Sequence, residues 1–228
     1  MSKNIIVSGA SSGIGYQVAI QFAREGHQVL VISRRKEKLA QLQSEHGNIS
    51  ILAVDLNDLG LEQKIREYYK GDKKVDVIIN NAGQLINKTF METQLHEFAE
   101  QYNSNVLSAI NLIQSCHTLL NEGSHIVNIS SMGGFQGSSK FSGLSAYSAS
   151  KGALSILTEC LAEEFKEISV SVNALALGAV QTEMLKKAFP DYTAPLSPER
   201  IATYIVQFAL NGNEFYNGKV LPVTLGDP

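Results

Sequence analysis

Tyr147 and Lys151 stand four residues apart in a segment of helical periodicity, residues 146–165, a spacing that puts two side chains on one helix face. A lysine ammonium beside a phenol stabilises the phenolate and lowers its pKa from about 10 toward working pH. A tyrosine tuned in this way can exchange a proton with an alcohol or carbonyl oxygen. Spacing alone is a weak signal in a chain with 8 tyrosines, and Tyr69 and Lys73 repeat the interval. That second pair straddles Gly71-Asp72, a turn signal, so it should not share a helix face.

A second chemical feature lies near the amino terminus. The β-branched run Asn4–Ser8 passes directly into Gly9-Ala10-Ser11-Ser12-Gly13-Ile14-Gly15, and an apolar helical face follows (Ile14, Val18, Phe22, Ala23). Gly9 permits a tight exit from the strand, Gly13 leaves room for a pyrophosphate, and Gly15 allows close packing of helix on sheet. Backbone N–H groups and the helix dipole make such a helix start an anion site. The second strand ends at Ser33, followed by Arg34-Arg35, where NAD-binding units carry an acid for the ribose 2′-hydroxyl. A guanidinium there suits a 2′-phosphate. The expected cofactor is therefore NADP(H), with Arg34 as the first candidate for the phosphate and Ser33 as its helper. NAD(H) is the alternative, because Arg34 and Arg35 could equally open a solvated helix with Lys36 and Lys38.

These residues need elements to position them. Nearly unbroken apolar runs cover Asn4–Ser8, Gln28–Ser33, Val75–Asn80 and residues 49–54, 125–130, 169–174 and 219–224. That is how strands buried on both faces read. Helical segments alternate with them: one ends at Gly26, one runs before Gly47, a long one covers residues 95–120, and one starts at Ser197-Pro198-Glu199 and stops at Gly212. The alternation predicts an α/β fold: one doubly wound domain over residues 1–228, with right-handed crossovers and helices on both faces. Hydrophobic residues make up 44% and charged residues 18%, which excludes a disordered chain. A net charge of −3 argues against a nucleic-acid footprint. No run approaches a spanning helix, and the two cysteines, Cys116 and Cys160, fall in apolar helical patterns that predict buried hydrophobes, with no metal-ligand spacing. A soluble cytoplasmic protein is expected.

With these motifs in order along nearly the whole chain, the sequence resembles the short-chain dehydrogenase/reductase family. The turn Ser8 to Gly15 resembles its glycine motif, with Ser8 in place of threonine. Asp55-Leu56 matches the position of its adenine-contacting aspartate, and Asn80-Asn81-Ala82-Gly83 its motif after the fourth strand. Asn105, Ser131 and Tyr147-Ser148-Ala149-Ser150-Lys151 match its asparagine, serine and tyrosine–lysine positions. The resemblance implies a seven-stranded Rossmann sheet and hydride transfer between the nicotinamide and a carbonyl or alcohol substrate. Tyr147 would be the proton donor or acceptor, Lys151 would tune it and hold the ribose, Ser131 would bind the substrate oxygen, and Asn105 would hold a water. Gly178, Val180 and Thr182 would lie at the nicotinamide carboxamide, although Leu177 replaces the proline usual before that glycine. A homodimer or homotetramer is also implied, with Leu107, Ile110 and Cys160 as possible contacts.

Two loops should frame the substrate, residues 132–146 and a short lid at residues 183–196. Phe135, Phe141, Met184, Phe189 and Tyr192 could form an apolar wall or merely pack the loops. The leading expectation is an NADP(H)-dependent carbonyl reductase or alcohol dehydrogenase. A dinucleotide-binding regulator without turnover is the rival from another class.

Overall fold

A computed structural model describes residues 1–225. Seven parallel strands form one sheet in the order β3-β2-β1-β4-β5-β6-β7. They are β1 (Asn4–Ser8), β2 (Gln28–Ser33), β3 (Ile49–Ala53), β4 (Val75–Asn80), β5 (Leu120–Ser131), β6 (Ser171–Leu177) and β7 (Val220–Val223). The helices are α1 (Gly13–Arg24), α2 (Lys36–Glu45), α3 (Leu61–Tyr68), α4 (Leu95–Tyr102), α5 (Ser108–Cys116), α6 (Ser145–Glu164), α7 (Glu183–Ala188) and α8 (Pro198–Asn211).

The apolar runs are unbroken because β1 to β6 each feed two cores. Ile5, Val7, Val29 and Val31 point to the side where α1, α2 and α8 contribute Phe22, Leu42 and Ile205. Ile6, Leu30 and Ile32 point to the other side, where α3, α5 and α6 contribute Ile65, Leu112 and Ala162. Full burial of side chains of this size contributes about 1.5–3 kcal/mol each. Helix ends follow local chemistry. Ser197 Oγ accepts the Arg200 N–H at 3.3 Å with Pro198 opening α8, and Gly26 follows α1 at φ +85°.

Several expectations need correction. The long helix over residues 95–120 is two helices joined by a π-helical turn, Asn103–Leu107, and it ends at Cys116 with a 3-10 turn before β5. Strand β6 starts at Ser171 rather than 169, because Ser169 takes a left-handed φ of 54°, and it continues to Leu177. Strand β5 starts five residues earlier than expected, at Leu120. Cys116 is buried and its thiol is pushed up to about 12 by burial, but Cys160 is exposed. It shares an outward face of α6 with Ile156, four residues before it. Tyr69 is buried just past the end of α3 and shares no helix with Lys73, as the turn signal predicted. Among the described residues no helix is long and apolar enough to cross a membrane, and no group of three or more His, Cys, Asp or Glu side chains could hold a metal.

Candidate active site at the carboxyl ends of the strands

The strand order reverses between β1 and β4, and in open α/β sheets ligands bind in the crevice outside the carboxyl ends at such a point. Here the Ser8 side chain ties the two strands together. Its Oγ donates to the Ile79 carbonyl at 3.3 Å and accepts the N–H groups of Asn81 at 3.0 Å and Ala82 at 3.1 Å. Asn81 answers with its Nδ2, which donates to the carbonyls of Ser8 at 3.1 Å and Gly9 at 3.3 Å. Gly9, at φ +67°, leaves no room for a side chain, since a Cβ would stand 2.7 Å from Ala82 Cα. The first turn of α1 has no side-chain cap from Ser12, so its N–H groups are available to an anion. Gly13, at φ +59°, faces the methyl group of Thr182. This cradle fits the pyrophosphate of a dinucleotide.

At the end of β2, Ser33 Oγ donates to Ser11 Oγ at 2.8 Å. Arg35 lies against the glycine turn, with Nε 2.9 Å from Ser11 Oγ and Nη2 2.5 Å from Ser12 Oγ. Its Nη1 also stands 3.9 Å from a Glu183 carboxylate oxygen. Arg34 turns away to Asp55, at 3.8 Å, with both side chains largely exposed. Asp55 Oδ1 accepts the Asn57 N–H at 2.9 Å, while Leu56 is buried and its carbonyl accepts from Asn111 at 2.6 Å.

The proton-transfer candidates converge next to this cradle. Ser131 closes β5 and Tyr147 sits in the first turn of α6, close enough for the Ser131 hydroxyl to act on the phenol. Ser131 Oγ also accepts the Gly133 N–H at 3.2 Å. Lys151 is buried, and its Nζ donates to the Ile129 carbonyl at 2.8 Å. Burial pushes its pKa down to about 8. The Tyr147 phenol is raised, because burial outweighs the Ser131 hydrogen bond that lowers it. The Lys151 ammonium here bonds the Ile129 carbonyl rather than the phenol. Asn105, on the π-helical turn, accepts the Gln84 N–H at 2.8 Å and donates to the Gln84 carbonyl at 3.0 Å and to Ser150 Oγ at 2.9 Å. Gly83 lets the three elements meet: a Cβ there would stand 2.8 Å from Asn105 Oδ1 and 3.4 Å from Lys151 Nζ.

The nicotinamide-side candidates follow β6. Gly178 packs on Thr224, where a Cβ would stand 2.5 Å from the hydroxyl oxygen. Val180 is buried and bridges to Leu196. Thr182 Oγ1 accepts the Leu185 N–H at 3.2 Å and so caps α7, the helix of the expected lid. The glycine- and serine-rich loop after Ser131 is tied down, since Lys140 Nζ donates to the Phe135 carbonyl at 2.7 Å and to Ser138 Oγ at 2.6 Å.

Two residues, Ser150 and Asn87, escaped the sequence reading, and a third, Arg35, stood second to Arg34 in it. Ser150 Oγ donates to the Tyr147 carbonyl at 2.7 Å and joins Asn105 to α6. Its place three residues after Tyr147 was a usable signal, because serine in a helix often bonds back to the preceding turn. Arg35 rather than Arg34 meets the glycine turn. Asn87 Nδ2 donates to the Ala188 carbonyl at 2.7 Å and ties the loop after β4 to α7; no local pattern marks it.

Comparison with known proteins agrees with this geometry. A family model described as short chain dehydrogenase matches residues 3–193. A fatty acyl-CoA reductase of Acinetobacter baylyi is 32% identical over 214 residues, covering 90% of this chain and 72% of that protein. An uncharacterized oxidoreductase of Staphylococcus aureus is 28% identical over 210 residues, covering 90% of this chain and 89% of its own. Among solved structures, ElxO with NADP bound superposes with a TM-score of 0.84 at 29% identity, covering 98% of both chains. A 3-ketoacyl-(acyl-carrier-protein) reductase from Brucella melitensis complexed with NADH gives a TM-score of 0.88 at 22% identity, covering 98% of this chain and 97% of its own, a likeness of fold. The chain belongs to the short-chain dehydrogenase/reductase family of oxidoreductases.

Proposed function

We propose that this protein is an NADP(H)-dependent carbonyl reductase or alcohol dehydrogenase in which Tyr147 is the proton donor and acceptor. The observation that carries the reading is the convergence of Ser131 and Tyr147 beside buried Lys151, set next to the uncapped start of α1. A binding module has no need of that pair. The bound dinucleotide supplies or accepts hydride at the nicotinamide ring. Ser131 Oγ holds the substrate oxygen and Tyr147 Oη passes it a proton in reduction. Lys151 shifts from the Ile129 carbonyl toward the ribose and phenol, where its charge lowers the phenol pKa. Asn105, fixed by Gln84 and Ser150, holds the helix turn against Gly83 and Lys151 and positions a water there.

The phosphate preference rests on Arg35 at the glycine turn, with Ser33 beside it, Arg34 at the outer edge and no acid at the end of β2. A protein of similar fold and sequence, ElxO, is described with NADP bound, which supports the reading. The test is a thermal-shift titration with NADP(H) and NAD(H) in parallel, followed by turnover with a panel of aldehydes and ketones. Ligand at 100 times its dissociation constant adds about 2.7 kcal/mol to stability. Selective stabilisation by the phosphorylated cofactor, lost in the double variant R34D/R35D, supports the assignment. Selective stabilisation by NAD(H) overturns it, and no shift with either overturns dinucleotide binding. We further propose a homo-oligomer, with the exposed apolar side chains of Leu107 and Ile156 and the thiol of Cys160 in its contact; a monomer mass by light scattering refutes it.

A further inference from the structure

The two arginines after β2 each face one carboxylate, Arg34 that of Asp55 at 3.8 Å and Arg35 that of Glu183 at 3.9 Å. Only the second contact crosses the crevice, from the end of β2 to the first residue of α7. Arg35 is held where it stands. Its Nε donates to Ser11 Oγ at 2.9 Å and its Nη2 to Ser12 Oγ at 2.5 Å. Those two donors form one edge of the guanidinium, and Glu183 stands at Nη1, on the part that the serines leave. A phosphate recognised by arginine takes two parallel N–H groups. With Nε and Nη2 on the serines, the 2′-phosphate of a dinucleotide must reach the guanidinium from the Nη1 side, where the carboxylate stands.

Glu183 is fixed as well. Thr182 Oγ1 accepts the Leu185 N–H at 3.2 Å and caps α7. The Gln181 N–H before it donates to the Leu196 carbonyl at 2.8 Å, and Asn87 Nδ2 holds the Ala188 carbonyl at the far end of the helix, at 2.7 Å. Thr182 also packs against Gly13, where a Cβ would stand 3.4 Å from its methyl group. A helix of six residues tied at both ends keeps its first side chain beside the glycine turn. A phosphate at Arg35 therefore meets the charge of Glu183 even where the carboxylate swings off Nη1. Both effects have one sign: the carboxylate neutralises the guanidinium that the phosphate would use, and it repels the phosphate. NAD(H), with a hydroxyl in that place, brings no charge to Arg35.

We propose that Glu183 is a specificity-determining residue: it competes with the 2′-phosphate for Arg35 and holds down the preference for NADP(H) over NAD(H). The inference deepens the NADP(H) reading and rests on it. No acid ends β2, and the carboxylate that faces Arg35 comes instead from α7, far along the chain.

The experiment is equilibrium titration with NADPH and with NADH, followed by cofactor fluorescence, on the parent chain, Glu183→Gln, Arg35→Gln and the double variant, each shown to be folded by circular dichroism. Glu183→Gln should tighten NADPH about two- to fivefold, inside the range that an exposed ion pair carries, and leave the dissociation constant for NADH unchanged. Arg35→Gln should weaken NADPH, and the gain from Glu183→Gln should shrink in that background, because the two changes share one interaction. Unchanged or weaker NADPH binding in Glu183→Gln overturns the inference, as does an equal gain for both cofactors. So does a gain that is as large with Arg35 replaced as with Arg35 present. Those outcomes leave the NADP(H) reading standing. NADH bound more tightly than NADPH by the parent chain removes that reading, and NADPH binding unaffected by Arg35→Gln removes Arg35 from it; the inference falls in either case.

Discussion

Replacing Gly134 by alanine puts a methyl group into the backbone of α6. The new Cβ would stand 2.5 Å from both Gly152 N and Lys151 C, and 2.8 Å from Lys151 Cβ. Ordinary contact begins at 3.4 Å, so the turn Met132–Gly134 and α6 must separate by about 1 Å. Neither side yields easily, since the atoms met are helix backbone rather than the far end of a side chain. Overpacking of this kind costs about 1–3 kcal/mol. In a chain of this size 1 kcal/mol moves Tm by about 2–4 °C, which puts the expected fall at roughly 2–12 °C. The catalytic loss should be larger in proportion. The turn follows Ser131 directly and α6 carries Tyr147 and Lys151, and a misplacement of about 1 Å can reduce rate about 10²-fold. The reverse substitution is the control. A Cβ on Gly152 meets only the Gly134 carbonyl oxygen, at 3.5 Å. Gly152→Ala should therefore gain the 0.5–1 kcal/mol or so that glycine costs inside a helix, with turnover kept. Thermal unfolding by circular dichroism and steady-state reduction of one aldehyde measure both arms. Equal behaviour of the two alanine variants, or an unchanged Tm and kcat in Gly134→Ala, would refute this packing argument.

Other consequences follow from buried polar groups. His125 is buried, with Nδ1 donating to the Ala209 carbonyl at 3.0 Å and Nε2 accepting from Asn173 at 3.0 Å, and burial pushes its pKa down to about 4. Below pH 6.5 the unfolded chain takes up a proton that the folded chain refuses, so stability should fall between pH 6.5 and about 4, by up to about 3 kcal/mol; His125→Gln should flatten urea-unfolding curves measured across that window, and an equal acid loss in the variant would contradict it. Lys151 has the same sign at higher pH. Its pKa falls from 10.5 to about 8, the folded chain sheds its proton first as pH rises, and the burial penalty is relieved between those values. Lys151→Met should accordingly be more stable than the parent chain below pH 8, with the advantage shrinking toward pH 10. Ser8→Ala strands the Ala82 N–H, while the Asn81 N–H keeps the Ile79 carbonyl at 3.1 Å, and should cost about 1–3 kcal/mol by chemical denaturation; an unchanged midpoint would mean that another group satisfies Ala82.

The sheet was legible because β2 and β4 are apolar on both faces, and a strand covered by helices on two sides leaves no alternation to misread. The glycine turn was legible because local geometry demands those residue types, and the placement of Tyr147 and Lys151 four apart on one helix was legible from the periodicity of residues 146–165. What stayed hidden depends on three-dimensional placement. The break between α4 and α5 leaves helical periodicity intact, since a π-helical turn adds one residue without adding glycine or proline. Arg34 and Arg35 are neighbours in sequence, and only the exit angle of β2 decides which meets Ser11 and Ser12. Cys160 was read as buried because α6 is apolar on more than one face, and which face stays outside depends on how the helix docks. The proximity of Asn87 to Ala188 joins residues 101 positions apart in the chain, beyond the reach of any local pattern.

The assignment of proton transfer to Tyr147 is tested by Tyr147→Phe. The ring is kept, so the contacts of α6 survive, and only Oη is lost. General acid–base catalysis contributes about 10²–10⁴-fold, so kcat for carbonyl reduction should fall by at least ~10²-fold while the cofactor dissociation constant stays within about twofold. Turnover within tenfold of the parent chain, with the variant shown to be folded, would contradict the account.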